Sequence, residues 1–141
     1  MERQATLNAG NFGQVSCRGT DVSFPTPANE PERLVSLRAL NILDSVPEIA
    51  YDEIVELAAQ ICGCPFAYIS FIDDNRRWLK ARYGLSSDMI EAPRAGAVCT
   101  TTICGSDVFV VPDMKADPRF ENSPMVAGGP GCRFYCGMPL I

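Results

Sequence analysis

The feature that most constrains this chain is the run Phe66–Ile72, FAYISFI, which is apolar at nearly every position. A strand without a polar face must be covered on both sides, so the run is expected to lie centrally in a sheet. Asp73-Asp74-Asn75 behind it is turn chemistry. Arg77–Tyr83 then alternates, with Arg77, Leu79, Ala81 and Tyr83 on one face and Trp78, Lys80 and Arg82 on the other. This pattern predicts an antiparallel hairpin whose second strand is the more exposed and is ended by Gly84.

Two helices are expected before the hairpin. Asn29 suits an N-cap, Pro31 the first turn, and Glu30 and Glu32 the positive end of the helix dipole. Leu34, Leu37, Leu40 and Leu43 form a narrow apolar stripe on a helix ending near Asp44. That stripe either packs in the core or pairs with a second copy as a dimer helix, and the sequence leaves both open. Ser45-Val46-Pro47-Glu48 has the form of a capping box. It predicts a second helix with Ile54, Leu57, Ala58 and Ile61 on one face, stopped by Gly63 and Pro65. Residues 1–29 show no periodicity and are rich in Asn, Gly, Ser, Thr and Pro. They are expected to form a flexible N-terminal segment, with Phe24 its one candidate for docking on the domain. Residues 30–141 then make up the one domain expected of this length.

After the hairpin, Ser86–Ala97 reads as a polar connector and Val98–Cys104, VCTTTIC, as a short helix. Val108–Val111 is a short strand, residues 112–131 are punctuated by proline and glycine, and Cys132–Leu140 is a second apolar run. Two strands joined by so long a segment predict a lid over a pocket and not a tight hairpin. Within it, Asp117-Pro118 has the form of a helix start with Asp117 as cap. Phe134 and Tyr135 must point to opposite faces of their strand, one lining the pocket and the other packing under helices.

Composition removes several function classes. A formal charge of -5 argues against a nucleic-acid groove or an anionic membrane surface. No apolar run approaches the roughly 20 residues that span a bilayer, and no signal-peptide layout opens the chain, so a cytoplasmic address is expected. There is no histidine, which rules out Ser–His–Asp and Cys–His catalysis within the chain. The seven cysteines include a C-x-C (Cys62, Cys64) and a C-x3-C (Cys132, Cys136). No disulfide framework and no metal site is expected from them; they read as small buried hydrophobes with reduced thiols.

No catalytic set is expected, and the candidate ligand-binding residues are Cys99, Thr101, Thr102, Asp113, Phe134 and Tyr135. Cys99 opens the short helix, whose N-terminus would lower a thiol pKa. It is either a redox-sensing or ligand-touching thiol, or a small buried side chain. Thr100, Thr101 and Thr102 either offer hydroxyls to a ligand or satisfy backbone groups. Asp113, with Asp117 and Arg119, either binds a polar ligand or ties down its own loop.

Five pieces in order give the chain a family likeness: ERLVSLRALNILDSVPE (Glu32–Glu48), the strand Ala67–Asp73 with RRWLKARYGL (Arg76–Leu85), VCTTTI (Val98–Ile103), VVPDMKADPRFENSPMV (Val110–Val126) and CRFYCGMPL (Cys132–Leu140). Over Glu32–Ile141 the chain resembles the GAF domain of bacterial sensory proteins. The resemblance implies an α+β, PAS-like fold: an antiparallel sheet with helices packed on one face and a loop-roofed pocket on the other. It implies a sensory module that binds a small molecule, or transmits a dimer rearrangement, to an output domain of kinase or diguanylate cyclase type in a longer chain. In that family a further strand, lying mid-sheet, and a C-terminal helix follow the position of Ile141. The expectation is therefore a domain missing its last strand and C-terminal helix, either a piece of a longer protein or an incomplete product. Close relatives often carry Cys-x-His where Cys99-Thr100-Thr101 stands here, so neither bilin nor haem is expected, and no cofactor is assigned. The asparagine–lysine signature of cyclic-nucleotide binders is not matched. Two other readings stand beside the sensory one. They are a cysteine-dependent reductase of free methionine sulfoxide, for which Gly96–Thr102 is mildly similar, and a purely structural dimerisation unit using the Leu34–Leu43 helix.

Overall fold

The hairpin is the backbone of the fold. In this computed structural model, which describes residues 17–18 and 25–141, β3 (Ala67–Ile72) pairs antiparallel with β4 (Arg76–Tyr83). Asp73 N donates to Arg76 O to close the turn. Before them come β1 (Cys17–Arg18), β2 (Thr26–Pro27), α1 (Glu30–Ala39) and α2 (Ile49–Cys62). After them come β5 (Glu91–Pro93), α3 (Cys99–Thr102), β6 (Phe109–Val111), α4 (Pro124–Ala127) and β7 (Tyr135–Gly137). The mixture of helices and antiparallel pairs is the α+β class expected. Among the described residues the strands form sheets in the orders β1-β2, β3-β4-β5 and β6-β7. No helix among the described residues is long and apolar enough to cross a membrane.

Several local expectations are corrected. The second hairpin strand is the buried one: Arg77 through Ala81 are all buried, whereas only Ile72 is buried in β3. β4 is the central strand of its sheet: α2 packs on it, and β5 lies along its outer side through Arg76↔Pro93, Arg77↔Ala92 and Trp78↔Glu91. Sequence reasoning made this segment a connector because three residues ending in proline carry no strand period, yet an edge strand tolerates proline. Cys17–Arg18 pairs with Thr26–Pro27, inside the segment read as unstructured. The remainder of that expectation, residues 1–16 and 19–24 with Phe24, lies outside the described residues.

α1 stops at Ala39, short of Asp44, because Asn41 and Asp44 take left-handed φ of 50° and 59°. Asn29 occupies the N-cap position, but its side chain makes no cap bond. Leu34 and Leu37 are buried while Leu40 is exposed, so the stripe is a core contact at its first two positions. Ser45 and Glu48 form no capping box. Both turn to Lys80, whose buried ammonium donates to Ser45 Oγ (2.7 Å), Val46 O (2.8 Å) and Glu48 Oε1 (2.6 Å).

α2 lies on the sheet face that carries Trp78 and Lys80, and Lys80 Nζ sits 5.1 Å from the Tyr51 ring centroid. Its buried residues are Val55 and Ala59, an i, i+4 pair small enough to let the helix close on the strands. Ile54, Leu57 and Ile61, expected inward, are exposed instead, since the helix is turned by one position from the stripe of largest side chains. Its C-terminus is as expected: Gly63 is left-handed (φ 61°) and Cys64 N bonds back to Ala59 O at 2.9 Å. Gly84 ends β4 because a Cβ there would meet Pro65 O at 2.0 Å.

The other sheet face carries the main core. Ile72, Val98, Cys99, Val111, Met114, Phe120 and Cys132 form one buried cluster, with Tyr68, Phe109 and Tyr135 packed against it. This is where β3, α3 and the 112–134 segment between β6 and β7 meet.

Candidate functional site

Tyr68 is the residue that organises this junction from the sheet side. A half-buried tyrosine whose hydroxyl turns inward needs a partner for that hydroxyl. Here Tyr68 Oη lies 3.3 Å from Cys99 Sγ, at the first position of α3. Tyr135 Oη approaches the same sulfur at 3.7 Å from β7 and shares a hydrogen bond of 2.9 Å with Thr102 Oγ1. One thiol, two phenols and a threonine hydroxyl thus join three elements in a single polar cluster. Burial, reinforced by the neighbouring thiol, pushes both phenols well above the ordinary tyrosine range, so they remain neutral hydrogen-bonding groups.

Gly137 makes the position of Tyr135 feasible. The two residues share a strand face, and a Cβ at Gly137 would sit 2.2 Å from Tyr135 Oη. The absent side chain leaves the space that the tyrosine ring fills. On its other side that ring lies 6.3 Å from Phe109, which also meets Phe120 edge-on at 6.3 Å. Arg119 closes the aromatic group, with its guanidinium 4.9 Å from the Phe120 centroid and 5.7 Å from that of Phe109.

The segment between β6 and β7 is fastened, not loose. Asp113 Oδ1 accepts from Arg133 Nε at 2.7 Å and from Lys115 N at 3.0 Å, and Arg133 Nη2 bonds to Asp113 Oδ2. That pair joins the two ends of the segment, and the guanidinium holds the Asp113 carboxyl down at a pKa of about 2. Met114, fully buried, pins its first turn. Asp117 does not start a helix; its carboxylate holds Arg119 (2.6 Å to Nη2) and accepts from Arg119 N within a turn. The helix in this segment begins later, where Ser123 Oγ accepts from Met125 N and Pro124 takes the first position. Proline suits both starts, and Ser123 has both the extended backbone and the side-chain bond of a cap.

The candidate residues therefore separate. Cys99, Thr102 and Tyr135 come together. Thr101 is buried one position away, and its side chain makes no bond to the cluster among the described residues. Asp113 serves its own loop. Phe134 is 52% exposed, and so does not pack under helices as one of the Phe134–Tyr135 pair was expected to do. Tyr135 takes the inward place. Cys99 is bonded to phenols and not to a second thiol among the described residues, and no cluster of metal-ligating side chains is present among them.

Sequence reasoning missed Tyr68 and Arg77. The available signal was alternation: Tyr68 and Ile72 share one face of β3, and Arg77 opposite Ile72 faces the same way. An apolar run with a hydroxyl on one face asks what that hydroxyl meets. Arg94 was also missed; it is buried and binds Glu30 Oε1 (2.5 Å) and Asp73 O (3.1 Å), locking the start of α1 to the hairpin turn.

Comparison with known proteins fits this architecture. The family model described as the GAF domain matches residues 47–141. A cyclic di-GMP phosphodiesterase of Pseudomonas aeruginosa is 37% identical over 116 residues, or 82% of this chain. The chain spans 19% of the length of that curated relative.

Proposed function

Because this chain belongs to the GAF domain family, we propose that it is a regulatory sensory module in which a small molecule held beside Cys99, Tyr68 and Tyr135 changes the seating of α3 and β7 on the hairpin. That change passes to an output domain in a longer chain. The relative's cyclic di-GMP phosphodiesterase activity supports an output in turnover of that nucleotide, with its chemistry carried outside this domain. The module acts in the cytoplasm, and pairing with a second copy is the simplest route by which a small rearrangement reaches an output.

The single observation that carries the reading is the hydroxyl–thiol cluster. It binds three elements through side chains alone, so an occupant that exchanges partners with Tyr135 or Cys99 loosens or tightens all three together. Phenols and a thiol that stay neutral can switch partners without the cost of moving a buried charge. A thermal-shift screen of small metabolites on the full chain tests this. At least one compound should raise the melting temperature of the wild type, and the shift should shrink in Tyr135→Phe and Thr102→Val. Compounds that stabilise all three proteins equally, or no stabilising compound at all, would sink the reading.

A further inference from the structure

Arg77 is the group that this reading does not use. It is 4% exposed, and its Nε has no hydrogen-bond partner among the described residues. Its guanidinium carbon lies 5.7 Å from the centroid of the Tyr68 ring, which places the cation beside the Cys99 cluster. The other buried cations differ. Lys80 meets Glu48, Ser45 Oγ and Val46 O, and Arg94 meets Glu30 and Asp73 O. Arg77 has no ion pair with a carboxylate among the described residues. The nearest acids in sequence are engaged elsewhere: Asp74 pairs with Arg38, and Asp73 faces Arg38 and Arg76 at 3.9 and 3.8 Å.

A buried guanidinium whose Nε has no acceptor is costly unless something pairs with it. The stacking over Tyr68 offsets part of that cost but supplies no acceptor. What fits the remaining donors is a planar or tetrahedral oxyanion, which accepts a fork of two parallel N–H bonds. The Tyr68 ring on which Arg77 stacks carries the hydroxyl that meets Cys99 Sγ, and Cys99 in turn links it to Tyr135 and Thr102.

We propose that Arg77 is the anchor of an anion subsite, and that the molecule sensed here carries a carboxylate or phosphate group on a small apolar body lying against Tyr68 and Tyr135. The proposal rests on the Cys99 cluster being the ligand side of the domain.

Calorimetric titration of the full chain with benzoate, benzamide and inorganic phosphate separates the possibilities. Benzoate or phosphate should bind the wild type, and Arg77→Met should weaken that binding by about tenfold or more. Arg77→Gln serves equally if the methionine variant does not fold. Benzamide, equal in shape and uncharged, should bind weakly to wild type and variant alike. Preference between the two anions tells a carboxylate ligand from a phosphate one. The ligand-free Arg77→Met protein should melt at or above the wild-type temperature, because an uncompensated charge has been removed. If benzamide binds as tightly as benzoate and Arg77→Met changes neither, the ligand side stands and the anion subsite falls. If neither anion binds, or ligand-free Arg77→Met and Arg77→Gln both melt well below wild type, the proposal is overturned.

Discussion

Asp113 carries an ionisation that can be read directly. Its bond to Arg133 lowers the carboxyl from 3.8 to about 2 in the folded protein. A carboxyl depressed on folding adds stability that is present above the unfolded value and is lost as pH falls through the folded one. The fastening between the ends of the 112–134 segment should therefore hold above about pH 4 and release between about pH 4 and pH 2. Carbon-detected NMR titration of the Asp113 carboxyl should give a midpoint near 2. Arg133→Gln should return that midpoint to the ordinary aspartate range, and an unchanged midpoint would mean that the pair is not the cause. The sequence offered Asp113 as either a ligand contact or a loop tie, and the second is what its geometry serves. Nothing in the sequence could pair it with Arg133, because the two lie at opposite ends of a loop whose path is set by where Met114 and Phe120 bury.

At the scale of elements, turns and helix ends were legible where the signal is a backbone requirement. Gly63 and Gly84 are left-handed, and both stop their elements where glycine predicts. Gly84→Ala should cost about 1–3 kcal/mol from backbone strain alone, with the 2.0 Å approach to Pro65 O adding to it. A urea unfolding midpoint unchanged from wild type would show that this corner yields easily. Helix facing was less legible. The hydrophobic pattern of α2 pointed to Ile54, Leu57 and Ile61, but the helix is seated by Val55 and Ala59. In this chain Leu57→Gln should change stability by no more than about 0.5 kcal/mol. A loss of several times that size would place Leu57 under cover in solution. Periodicity counts apolar residues and does not know which of them the partner surface has room for.

For the whole molecule, the ties that matter join elements far apart in sequence. Lys80 holds the approach to α2 onto β4, and Arg94 holds α1 onto the hairpin turn. Glu48→Ala removes one of three acceptors of a buried ammonium and should destabilise by about 1–3 kcal/mol, read from the urea midpoint. No change would mean that Ser45 and Val46 suffice. These ties were invisible in the sequence, since charged residues on strands read as solvated faces until something is shown to cover them. By itself the sequence determined the hairpin, two helices, the short helix at Cys99, the long segment between two strands and the likeness of their order to the GAF family. Each of those follows from local period, turn chemistry or motif order. Only the tertiary structure decided that β4 and not β3 is the better buried strand and that Tyr135 and not Phe134 turns inward. It alone brought Tyr68, Cys99 and Arg77 together. Those outcomes depend on which surfaces meet across tens of residues, and burial and pairing at that range are properties of the packed chain, not of any window along it.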